Sequence, residues 1–163
     1  MDDLDEKDMG ILSLLQEDGR MANAKLAERL GISEASCWRR LQRLREKGII
    51  EGVRAILNRR ALGFGVLSFV QLSCNQHSEE ATRELERIVR ENPNILSCHN
   101  TTGDDDFLLQ VVARDLDDYS RFVETALRKI PGAINIRSNI SLREVKASSR
   151  LPIDHDPKER GGA

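Results

Sequence analysis

Between positions 23 and 47 the chain reads NAKLAERLGISEASCWRRLQRLREK, and the second half of that stretch crowds basic side chains at helical spacing. Ser36, Arg39, Arg40, Arg43 and Lys47 stand at i, i+3, i+4, i+7 and i+11, so on a helix they share one face. Cys37, Leu41 and Leu44 fall on a neighbouring, apolar face. One face can build a core while the other meets a polyanion, because guanidinium groups bind phosphate oxygens or pair bidentately with guanine O6 and N7. A solvated amphipathic helix would share this periodicity, and what separates the two readings is the segment that comes before.

The elements needed to position those arginines lie within the same stretch. Leu26, Ala27 and Leu30 recur as they would on a preceding short helix, Gly31 can take the left-handed backbone that stops it, Ile32 turns inward and Ser33 caps the next helix. Two short helices around a Gly-centred turn are the layout of a helix-turn-helix reader of double-stranded DNA. The candidate DNA contacts are Asn23, Ser33, Glu34, Ser36, Arg39, Arg40, Arg43 and Lys47, with base and phosphate roles among the arginines left open. Trp38, the single tryptophan, is expected to lie over the groove between helices.

The charge distribution agrees. The formal net charge of -2 over 163 residues conceals one Lys against seven acids in residues 1–18 and eleven Lys/Arg against four acids in residues 20–60. A basic block inside an acidic chain marks a local polyanion site. With 39% apolar and 32% charged residues the chain reads as globular with room for two small domains. No apolar run approaches the ~20 residues that cross a bilayer, and the acidic start MDDLDEKD is unlike a signal peptide, so a cytoplasmic protein without membrane contact is expected. Cys37, Cys74 and Cys98 are odd in number and form no CxxC, which argues against a disulfide framework or a zinc ribbon; no metal and no cofactor are expected, and His99 beside Cys98 lacks a second ligand cluster.

A first helix over residues 4–16, with Asp8, Ile11, Leu12 and Leu15 at helical spacing, packs behind the reader. The reader's second helix ends near 47–48, and residues 49–53 and 55–57 look like short strands, giving a winged helix-turn-helix. Residues 58–65, NRRALGFG, carry two glycines and no periodicity and hold the domain boundary. The domains are 1–60 for the reader with its linker strand, 61–150 for a second domain, and 151–163 for a flexible tail. Within the second domain the pattern predicts a strand over 66–74, a helix over 78–91, strands over 95–102 and 107–113, a helix over 116–129 and a strand over 134–145. That βαββαβ order closes as a ferredoxin-like sandwich, so the fold class is α+β. The sheet's second face carries Leu67, Phe69, Gln71, Leu108, Gln110 and Val112, and its apolar surface calls for a second copy. A two-fold dimer also suits DNA, because paired recognition helices enter major grooves about one turn, ~34 Å, apart.

Four segments in this order resemble the Lrp/AsnC, or feast/famine, family over about residues 4–153: LDEKDMGILSLLQEDGR, LAERLGISEASCWRRLQRLREKGII, HNTTGDDDFLLQV and IPGAINIRSNISLREVKASSRLPI. The resemblance implies a transcriptional regulator of amino-acid metabolism with a DNA-binding domain, a linker strand and a ferredoxin-like effector domain that dimerises and often forms tetramers or octamers. It implies an amino-acid effector held by the loop matching Thr102, Gly103, Asp104 and Asp106 together with a neighbouring subunit's last strand, with the position of Asp106 tied to the effector response. The loop's chemistry fits, since backbone N–H groups near Gly103 can hold a carboxylate while Asp104 or Asp106 meets an ammonium group. A plain hairpin turn would use the same residue types. The chain departs from many relatives at Asp105, where an aromatic or apolar residue is common, and in SEASC at 33–37, where prolines are common. The extra carboxylate either favours a basic ligand or faces water. Two other classes stay open: an architectural DNA binder without effector, and an enzyme like the sirohaem decarboxylases, for which no catalytic constellation stands out around His77, His99 and His155.

Overall fold

A computed structural model describes residues 4–75 and 78–153; His77, His155 and the tail beyond residue 153 lie outside the described residues. The chain divides into two compact units, residues 1–56 with 147–163, and residues 57–146.

The first unit holds three helices, α1 (Glu6–Glu17), α2 (Asn23–Leu30) and α3 (Glu34–Glu46). Helix α1 starts in a reciprocal capping box: the Asp8 N–H donates to Asp5 Oδ1 at 2.9 Å and the Asp5 N–H to Asp8 Oδ2 at 3.2 Å. Between α2 and α3, Gly31 takes φ 62° and ψ 40°, and the Ile32 N–H returns to the Ala27 carbonyl at 3.0 Å, which closes a Schellman turn. Ile11, Leu26, Ala27, Cys37, Leu41 and Leu44 form the buried core, with Leu12, Leu15, Leu30, Ile32 and Ile50 packed against it. The Lys7 ammonium donates to the Leu30 carbonyl at 2.8 Å, a cation at the negative end of α2. The described start of the C-terminal segment does not hang free. The Gln16 amide exchanges two hydrogen bonds with the Leu151 backbone at 2.6 and 3.2 Å, and Arg150 pairs with Glu17 at 3.2 Å.

The strands expected at 49–53 and 55–57 are absent. The Ile49 and Ile50 N–H groups both go to the Leu44 carbonyl at 2.9 and 3.1 Å, finishing the α3 C-terminus instead of entering a ladder. The residues after them have strand-like composition but pair with no strand among the described residues.

The second unit is a four-stranded antiparallel sheet in the order β2-β3-β1-β4, built from β1 (Val66–Cys74), β2 (Ile95–Asn100), β3 (Phe107–Ala113) and β4 (Ala133–Ile140), with α4 (Glu79–Glu91) and α5 (Leu116–Thr125). This is the ferredoxin-like arrangement that the βαββαβ order implies. Val70, Leu72, Leu109 and Val111 of the sheet meet Leu85, Tyr119, Phe122 and Leu127 from the helical layer in one core. The Tyr119 hydroxyl donates to Ser138 Oγ at 2.6 Å and accepts from the fully buried Ser68 hydroxyl at 3.2 Å, which satisfies the polar groups under that layer. The other face bears the directly opposed pairs Leu67–Val112, Phe69–Gln110 and Gln71–Leu108, as the alternation predicts, and Phe69 is 40% exposed.

Three boundaries fall short of expectation. The last strand stops at Ile140, not 145, because Ile140 faces Ser68 near the start of β1 and the Ser141 N–H to the Leu67 carbonyl, 2.8 Å, ends the ladder. The helix expected to 129 ends at Thr125; a 3₁₀ turn follows at Leu127–Lys129 and stops at the extended Ile130, since Pro131 disfavours helical backbone in the residue before it. Strand β2 ends at Asn100, not 102.

Candidate functional site

Helix α3 presents the basic residues, and the structure sorts them by what else they touch. Asn23 and Glu34 serve the helix junction: the Asn23 amide donates to the Glu34 carbonyl at 3.0 Å. Ser33 Oγ accepts the Ser36 N–H at 3.2 Å and so caps α3. Lys47 is the C-cap residue. Arg39 is exposed on the side of α3 away from Cys37, Leu41 and Leu44 and makes no ion pair among the described residues.

Arg40 and Arg43 differ. The Arg40 guanidinium reaches Asp5 Oδ2 at 2.6 Å and Asp8 Oδ1 at 2.8 Å, and Arg43 donates to the other oxygen of Asp8. The Asp8 side chain is 0% exposed. Arg40, then the Asp8 backbone N–H, hold the Asp5 carboxyl below the usual aspartate range. Asp5 and Asp8 thus engage α3 from another element, whereas the sequence placed Asp8 only at helical spacing with Ile11, Leu12 and Leu15. Trp38 is 56% exposed on α3.

In the second unit the loop after β2 carries the candidate effector residues. Gly103 has φ 126°, a backbone that side chains resist, and Thr102, Gly103 and Asp104 are exposed. Thr102 and Asp104 line an open depression of about 270 Å³ together with Gln71, Thr101, Asp105, Phe107, Leu108 and Arg137. Asp105 does not face water: its side chain is 9% exposed, accepts the Ser73 hydroxyl at 2.7 Å and faces the Arg137 guanidinium at 3.6 Å. Ser73 and Arg137 come from β1 and β4, which no local signal connects to residue 105.

Asp106 is turned away from that group. Its Oδ2 accepts the Cys74 N–H at 2.7 Å, its N–H donates to the Leu72 carbonyl at 3.0 Å, and it lines a second depression of about 300 Å³ with Cys74, Thr82, Glu86 and Asn100. Of the four expected effector residues, Thr102 and Asp104 line one depression, Asp106 lines the other, and Gly103 lines neither. Burial, with the Asp106 charge beside it, pushes the Cys74 thiol up and keeps it protonated at neutral pH.

Two family models cover these regions: one described as a winged helix-turn-helix DNA-binding domain matches residues 4–51, and one described as the Lrp/AsnC ligand binding domain matches residues 67–151. The leucine-responsive regulatory protein of Escherichia coli K12 is 35% identical over 151 residues, 93% of this chain and 92% of its own length. Among solved structures, a Neisseria meningitidis transcriptional regulator in complex with L-Met superposes with a TM-score of 0.88 at 35% identity, covering 93% of this chain and 98% of that one. An AsnC family regulator from Agrobacterium tumefaciens gives 0.87 at 33% identity, over 93% and 99% of the two chains. With the helix-turn-helix in the first unit and the ferredoxin-like sheet in the second, these matches place the chain in the Lrp/AsnC family of transcriptional regulators, a DNA-binding module joined to a ligand-binding domain.

Proposed function

We propose that this protein is a cytoplasmic regulator that binds a pseudo-palindromic operator as a dimer or larger assembly and changes that assembly or its DNA geometry when an amino acid occupies the depression at Thr102, Asp104, Asp105, Arg137 and Gln71. The observation that carries the ligand class is the meeting of both charge signs around one open space: Arg137 for an α-carboxylate and Asp104 for an ammonium group. Asp105 is already engaged by Ser73 and Arg137, so the favoured ligand is a zwitterion with a neutral side chain. The L-Met complex of the Neisseria relative and the leucine response in the name of the Escherichia coli relative support that class. Asp106 acts by tying the loop to β1. Exposed Phe69 supports sheet-to-sheet pairing of two copies.

A ligand shifts the assembly only if it prefers one state of it. The test is a mobility-shift titration on the DNA upstream of the protein's own gene, with each of the twenty amino acids, for the wild type and Asp106→Ala. A response to one or two neutral amino acids that Asp106→Ala loses, with DNA affinity kept, is the expected result. Specific binding indifferent to all twenty would make the chain an architectural DNA binder.

A further inference from the structure

We infer that Asp8, assisted by Asp5, is a specificity-determining positioning residue of the DNA reader, withholding Arg40 and Arg43 from phosphate and leaving Arg39 as the mid-helix cation that meets DNA. The inference rests on the reading of α3 as the recognition helix. Free arginines on such a helix bind any duplex, because each phosphate neutralised releases counterions whatever the sequence. Here two of the four arginines of α3 are neutralised from within: Arg40 by Asp5 at 2.6 Å and Asp8 at 2.8 Å, Arg43 by Asp8.

A phosphate that drew both guanidinium groups away would leave the Asp8 carboxylate, 0% exposed, buried without its counter-charges. Asp5 is 54% exposed and reinforces the hold on Arg40 alone. The fixed arginines brace α3 against the N-terminus of α1, and the capping box fixes the two carboxylates in turn. Arg39, exposed and without an ion pair among the described residues, keeps its charge for DNA. Such a reader has a weak affinity for arbitrary sequence, which raises the contrast between operator and background.

The wild-type protein is first used to select a duplex from a random pool. Binding to that duplex and to a scrambled one of equal composition is then titrated across salt for the wild type, Asp8→Asn, Asp5→Asn, Arg39→Ala and Arg40→Ala. Asparagine keeps the cap hydrogen bonds and removes the charge. For Asp8→Asn the slope of log affinity against log salt on the scrambled duplex should steepen by about one to two per protomer, and the selected-to-scrambled ratio should fall about tenfold or more. Asp5→Asn should give the same change in smaller measure, Arg39→Ala should flatten the slope by about one, and Arg40→Ala should leave it unchanged. Folded Asp8→Asn or Asp5→Asn proteins with wild-type slope and ratio would overturn the inference while leaving DNA binding intact, as would an Arg40→Ala protein whose slope flattens. If Asp8→Asn does not fold, Asp5→Asn and Arg40→Ala decide. A wild type that selects no duplex would overturn the DNA reading and this inference together.

Discussion

In the three-helix unit Arg40 and Arg43 reach carboxylates 32 and 35 positions away, on another helix, whereas in the sheet unit Arg83, Arg87 and Arg90 of α4 pair with glutamates three or four positions away on their own helix. The α4 pairs are exposed, and such pairs stabilise by only about 0.3–0.5 kcal/mol each. The pairs on Asp8 close over a side chain that water does not reach. Salt bridges of similar length thus do different things: those on α4 clothe a surface, and those on Asp8 hold α3 to the N-terminus of α1. The units also differ in closure. The helices bury their apolar faces on one another, while the sheet keeps Phe69 on an open face.

The sharpest way to break this comparison is to remove both cations from Asp8. Arg40→Ala with Arg43→Ala should destabilise the helical unit by roughly 3–5 kcal/mol, the cost of stranding a buried charge, as measured by urea unfolding followed through Trp38 fluorescence. Arg83→Ala on α4, the control, should stay within about 0.5 kcal/mol; equal effects would erase the distinction. On the sheet side, Phe69→Asp should weaken self-association about tenfold or more, roughly 1.4 kcal/mol, in sedimentation, with the unit still folded. Unchanged association would remove the open face from the proposed assembly. The smallest effect concerns pH. Because the Asp5 carboxyl is held low in the folded chain, its contribution is complete above the ordinary aspartate value and is lost as pH falls through the depressed one. The melting temperature of Asp5→Asn should therefore fall less steeply than the wild type's in acid below that ordinary value.

Features set by neighbours in sequence were legible. Gly31 and Ser33 marked the turn, Cys37, Leu41 and Leu44 marked the buried stripe of α3, and the alternation in β1 and β3 located both strands to the residue. Features set by distant partners were not. Asp8 stood at helical spacing with Ile11, Leu12 and Leu15 and read as part of a helix face; its meaning depends on arginines two helices later. Residues 49–57 had the composition of strands, but pairing requires a neighbour that composition does not supply. Asp105 looked like a surplus acid until β1 and β4 brought Ser73 and Arg137 to it, and the separation of Asp106 from Asp104 followed from where the β1 backbone offers an N–H to accept.

The interlock at Asp8 also bears on how such a reader could change over generations. A carboxylate shared by two arginines tolerates the loss of one of them, because the other remains, but not the loss of both. A lineage exchanging positions 40 and 43 for uncharged side chains would pass through an unstable intermediate unless position 8 changed in step. Positions 5, 8, 40 and 43 should therefore be inherited as a block, while position 39, which answers to no internal partner among the described residues, is free to drift with the operator.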